Sequence, residues 1–273
     1  MTGIVAQIIA LTAFGNDFLN NGKVPADFNS KNTTFEYCNK VDFREFKKQF
    51  FFSKVKEMVA AENPTKWFEY LKADGCKHLR LYFEYSKDQG IAKDHQLAGF
   101  VGGGGLWLIE AVYDNCSNYW LNRWEGTDPN APDNKIWSVN NGMTAVKQPT
   151  INLQIDNDEI KIELRRSLTE ITNFAIGQNL NYWVEQFEKA KSFLDSRLPE
   201  ENFYQKDLIP VENYSLTAKQ ILFSAASSWV FGGMGTWNDL VFDRDEDQAE
   251  YDRLSAQLYS NINKAIVAAI NTY

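Results

Sequence analysis

A chain of 273 residues with 44% hydrophobic and 23% charged side chains has ordinary globular composition and can bury a large core, which excludes a disordered chain. Its 28 Lys and Arg stand against 36 Asp and Glu, a net charge of −8, so the surface as a whole repels phosphate backbones and nucleic acid is not expected as a partner. Cys38, Cys76 and Cys116 are odd in number and form no CxxC pair, which suits a reducing compartment better than a disulfide framework.

The apolar stretch Met1 to Phe14 has no Lys or Arg before Lys23, so it lacks the charged region of a signal peptide, and it is too short and interrupted to span a bilayer. A cytoplasmic protein with no membrane partner is expected. Ile4, Val5, Ile8, Ile9 and Thr12 recur at helical spacing and predict a helix closed near Gly15 or Gly22. Lys23 to Thr34, with Pro25, reads as a loop. From Phe35 to Met58 two patterns compete: a helix capped by Asp42 with Phe43, Phe46, Phe50 and Phe51 on one face, or a strand around Phe50 to Phe52 with Val55.

Asn63-Pro64 opens a helix bearing Trp67, Phe68 and Leu71, ended by Asp74-Gly75. His78 to Tyr85 alternates as a half-buried strand with Leu79, Leu81, Phe83 and Tyr85 on one side. After a charged connection, a glycine run leads into Leu106 to Tyr113 and Asn118 to Glu125, a long antiparallel hairpin turned at Asp114 to Ser117 and read as the centre of the sheet. Thr127 to Asn134 is a loop. Asn141-Gly142 between apolar runs then predicts a second tight hairpin. The middle of the chain thus supplies about five strands in an antiparallel meander.

Helical spacing dominates from Asp156, which with Glu159 resembles a capping box and starts a helix running to Gly177. Leu180 to Leu194 forms the next, Ser215 or Thr217 caps a third that reaches Gly232-Gly233, and Asp247 to Asn271 forms the last. The expected fold is α+β, an antiparallel sheet with N-terminal helices and a C-terminal group of about four helices packed on one face. Residues 1–273 are read as one domain. A composition shift at 149–156 marks the alternative boundary, between a sheet-rich 1–150 and a helical 151–273.

Catalytic and cofactor motifs are thin. Gly102 to Gly105 is followed by a strand and lacks the Lys and Ser or Thr of a phosphate loop, so glycines there suit a bulge or a close backbone approach. Asp243, Asp245 and Asp247 start like a calcium loop, but Gln248 and Leu254 stand where Gly and Glu are needed. Two histidines, His78 and His95, make no HExxH pattern, and no GxSxG elbow is present. No metal site and no cofactor are expected.

Three weak catalytic candidates remain: Glu110, which would share the core face with Leu106, Leu108 and Val112 and pair with Arg123, together with Asp114 and Asp239. Binding candidates are Trp120 and Arg123 in the hairpin, Trp237, Asn238 and Asp239 in the second glycine cluster, and the acids Asp243, Asp245 and Asp247. For the second cluster the plainer reading is that Trp237 plugs the core while Asn238 or Asp239 caps a turn. From Asp243 to Arg253 six acids against two arginines leave −4, either a solvated helix entrance or a docking face for a basic partner.

The leading expectation is a non-enzymatic protein that binds a protein partner, in a concrete version an immunity or antitoxin-like inhibitor of a basic enzyme. The alternatives are a hydrolase or transferase using dispersed carboxylates, and a structural subunit of a larger assembly. The oligomeric state is left open.

Overall fold

The computed structural model describes residues 1–48, 55–87, 92–100, 102–131 and 133–273. Among these, helices α1 (Gly3–Asn21), α2 (Phe28–Lys31), α3 (Pro64–Ala73), α4 (Asp94–Leu97), α5 (Asn157–Gly177), α6 (Asn181–Phe193), α7 (Leu216–Ser227) and α8 (Asp245–Asn271) accompany six strands. The strands are β1 (Cys38–Lys48), β2 (Val55–Ala61), β3 (His78–Glu84), β4 (Leu106–Val112), β5 (Ser117–Gly126) and β6 (Trp137–Gln148), in the order β2-β1-β6-β5-β4-β3. The class is α+β as expected, but the sheet is mixed, with β1 parallel to β6 and the other neighbours antiparallel.

Two misread segments account for the difference. Asp42 does not cap a helix: it is fully buried in β1 and takes Lys40 at 2.7 Å and Arg44 at 3.1 Å. Those partners lie two residues away on either side, the spacing of one strand face. Next to it Phe43 stacks on Trp67 with centroids 4.3 Å apart and planes 8° from parallel. The Phe50 to Phe52 pattern falls outside the described residues.

Asn141-Gly142 is not a turn but the middle of β6, paired on one side with Phe43 and Arg44 and on the other with Asn122 and Leu121. The Arg123 guanidinium lies over the glycine, 2.2 Å from where a Cβ would stand, so a side chain there would displace the arginine. The Asn141 amide donates to the Asp42 carbonyl at 3.3 Å. Turn residues were therefore used for packing inside a sheet.

Helix α1 starts from a Thr2 cap and ends at Gly22, whose φ of 76° closes it in the left-handed conformation. Its residues from Val5 to Asn16 are buried, so it passes through the interior, mostly apolar but carrying Gln7, Thr12 and Asn16 inside. Gly15, the other expected stop, lets α1 approach β3, since a Cβ there would lie 2.4 Å from Cδ1 of Leu79.

Strand β3 is an edge, and two helices close it. Asn16 of α1 donates to the Leu79 carbonyl at 2.9 Å and accepts from the Leu79 amide at 2.6 Å. Asn271 of α8 does the same for Leu81, at 2.9 and 2.7 Å. Each carboxamide thus imitates a neighbouring strand at the edge and removes a pairing template.

The C-terminal helices are not spread over one sheet face. They pack chiefly on one another, and of the four it is α8 that carries the main contact with the sheet, along β3. One hydrophobic cluster nevertheless joins α1, the sheet and all four.

Candidate functional site

The sheet interior accounts first for Glu110. Trp107, Ile109 and Ala111 of β4 enter the main core, while Leu108, Glu110 and Val112 point to the opposite face and are buried there as well. Coverage of both faces removes the in-out alternation that would have told them apart. Glu110 does not pair with Arg123. Its carboxylate accepts from Nε and Nη2 of Arg80, at 2.9 and 2.8 Å, and from the Tyr119 hydroxyl at 3.1 Å. Arg80 directly opposes it on β3, and its remaining arm donates to the Ile151 carbonyl at 2.9 Å.

This is a closed bidentate ion pair between the edge strand β3 and its inner neighbour β4. Burial, then the Glu110 charge, pushes the Tyr119 hydroxyl up to about 12. Arg123 instead reaches Glu57 of β2 at 3.4 Å. Asp114 lies exposed in the β4–β5 turn, 3.4 Å from Lys77. Asp239 lies in the loop before α8. Among the described residues the three carboxylates have no hydrogen-bond partner in common.

The two glycine clusters, far apart in sequence, meet in space. A Cβ on Gly99 would stand 2.2 Å from the carbonyl carbon of Gly232, so only glycine permits the two backbones to touch there. The junction is fastened on either side. The Asn238 amide donates to the His95 carbonyl at 2.9 Å, and the Tyr259 hydroxyl donates to the Gly104 carbonyl at 2.5 Å. The His95 ring lies 5.9 Å from that of Phe231 and 6.4 Å from that of Tyr259. Burial, followed by the Lys93 charge, pushes its pKa down to about 4, so the imidazole is neutral at physiological pH.

Trp237 is fully buried, in the plainer of its two readings. Its indole N–H donates to Ser255 Oγ at 2.7 Å, its ring lies among Trp183, Phe187 and Tyr251, and its carbonyl accepts from Tyr251 at 2.5 Å. Asp239 caps the short turn Trp237–Asp239 in a reciprocal box with Thr236, accepting from the Gly235 and Thr236 amides. Trp120 is buried too, beneath Phe43, Trp67 and Tyr70. Neither indole is on the surface.

What this anchored loop presents is Met234, 99% exposed, and Val241, 85% exposed. Sequence reasoning passed over both, because an isolated apolar residue in a loop carries no pattern. The signal was indirect, in that a buried Trp237 leaves the residues beside it as the outward ones. The neighbouring acids are unequal. Asp247 is bound to Arg244 at 2.6 Å, and that hydrogen bond lowers its pKa. Glu250 is likewise held by Arg253 at 2.8 Å. Asp243, Asp245 and Glu246 are exposed and enter no ion pair among the described residues.

Burial pushes the thiols of Cys38 and Cys76 up to about 11 and about 12, away from the thiolate a nucleophile requires. No group of three or more His, Cys, Asp or Glu among the described residues is placed to hold a metal ion, and no helix among them is long and apolar enough to cross a membrane. No protein-family model, curated protein or solved structure matches this chain.

Proposed function

We propose that this is a non-enzymatic binding protein that docks a basic protein partner through the loop from Gly232 to Asp247. The observation that carries the reading is Met234, an almost fully exposed thioether at the tip of a loop whose base is locked by Trp237, by the Thr236–Asp239 box and by Asn238. A fixed base limits the ordering entropy lost on association. An unbranched methionine adapts to an apolar pocket. Asp243, Asp245 and Glu246 stand exposed at the end of the same loop and the start of α8, so the complementary surface combines an apolar pocket with basic groups. An immunity or antitoxin-like inhibitor of a basic enzyme is one protein of this type, since inhibition by occlusion requires complementarity and no catalytic group.

The test is site-specific photocrosslinking from position 234 in the native cell, with the captured protein then produced pure and titrated against wild type and Met234→Asp. The expected result is one dominant partner of basic pI whose affinity falls at least about tenfold in the variant, equivalent to about 1.4 kcal/mol. The affinity should also weaken with added salt. Absence of a dominant crosslink, or a partner bound equally by Met234→Asp, overturns the reading.

A further inference from the structure

Two cavities, of about 380 and about 370 Å³, adjoin at the first turn of α1 and share Thr2, Ile4, Ala98, Phe100 and Trp124 as lining. Each is of the size that encloses a small molecule. The first continues to Arg123 and Glu125, the second to Tyr37, Trp137 and Gln205. Neither Met234 nor Val241 borders them, so this cleft is distinct from the docking loop.

Three properties of the lining select a ligand class. The first is charge. Arg123 and Glu125 are the charged side chains among the described lining residues, of opposite sign and on either side of Trp124 in β5, and Arg123 is already shared with Glu57. A phosphate or a cation would find no net countercharge there, whereas a neutral molecule meets no penalty. The second is aromatic surface. Phe100 is 61% and Tyr37 52% exposed, and Trp124 meets Trp137 edge-on at 5.9 Å, so flat apolar walls stand open to solvent beside a half-buried indole.

The third is unmet hydrogen bonding. Trp124 Nε1 and Gln205 Oε1 are buried without a partner among the described residues, one a donor and the other an acceptor. Glu125 is exposed and in no ion pair among them. Thr33 and Thr34 spend their hydroxyls within the fold, on Asp207 and Asn32. A molecule with apolar ring faces and hydroxyls at its edges, able to give and to accept, matches this combination.

We propose that the double cleft binds a neutral sugar of two linked rings, one in each cavity, with Trp124 between them and Phe100 as an outer wall. The Trp124 indole N–H and the Gln205 side chain address its hydroxyls.

The test is isothermal titration of the whole protein with cellobiose, maltose and N,N′-diacetylchitobiose, with adenosine as a neutral ring-bearing comparator. At least one disaccharide is expected to saturate with a Kd at or below about 1 mM. Phe100→Ala and Trp124→Ala are each expected to weaken it at least about tenfold, and Met234→Asp to leave it unchanged. Phe100 is exposed, so its truncation leaves the fold intact even if Trp124→Ala does not. Failure of every disaccharide to saturate by about 10 mM, saturation by adenosine instead, or undiminished binding in Phe100→Ala overturns the proposal.

Discussion

The two glycine clusters look alike as text and do opposite things in space. In the Gly99 to Gly105 segment, glycine is mostly where backbone approaches backbone or side chain: Gly99 lies against Gly232, and Gly103 would place a Cβ 2.2 Å from the Leu97 carbonyl oxygen, while Gly102 stands in open space with a φ of 80°. In the Gly232 to Gly235 segment the chain turns outward instead. A Cβ on Gly233 would meet nothing within 4 Å, and the residue that follows is the most exposed large hydrophobic side chain described. Glycine density therefore marks close packing in one loop and presentation in the other, and the difference lies in what surrounds the Cβ positions.

That contrast can be broken most forcefully at the plug of the second loop. Trp237→Ala removes a fully buried indole, its bond to Ser255 and its ring contacts, and should cost about 3–5 kcal/mol in chemical denaturation. A loss under about 1 kcal/mol would mean that the loop is not held by its tryptophan.

The junction of the loops should also be acid-sensitive. Buried His95 has its pKa lowered from 6.5 to about 4, so between those pH values the unfolded chain takes up a proton that the folded chain refuses. Stability from this group is complete above about pH 6.5, falls as the pH drops towards 4 and is flat below that, amounting to at most about 3 kcal/mol. His78, also lowered by burial, works in the same direction. His95→Phe, which keeps a ring against Phe231 and Tyr259, should flatten the wild-type decline between pH 6.5 and 4. Parallel pH profiles for the two proteins would show that His95 is not the group responsible.

The smallest effect sharpens the comparison most directly. Gly99→Ala forces two backbones apart and should cost about 1–3 kcal/mol, while Gly233→Ala, in open space and without a positive φ, should stay within about 0.5 kcal/mol. Equal melting shifts for the two would erase the distinction between the loops.

Much of the fold could be read from local pattern. The helices from Asn63-Pro64, from Asp156 and from Ser215 have the capping residues expected of them, and their caps are made. The β3 strand and the β4–β5 hairpin also lie where alternation and turn residues put them. Strands β1 and β6 were illegible for a common reason: they pair in parallel with each other across about a hundred residues, so Asp42 and Asn141-Gly142 serve neighbours distant in sequence rather than a local turn or cap. At the candidate site, Asp239 caps the turn and Asn238 ties the loop to His95, the plainer structural roles, while the exposed methionine had no pattern to announce it.

By itself the sequence determined what depends on near neighbours: helix limits through caps and glycines, the hairpin through its turn, an acidic surface through its charge. Tertiary structure alone decided which indoles are inside, that Glu110 answers to Arg80 rather than Arg123, that β1 runs parallel to β6, and that two glycine segments separated by more than a hundred residues share one junction. Those outcomes follow from space and partner choice between distant segments, and neither period nor propensity along the chain encodes a distance across it.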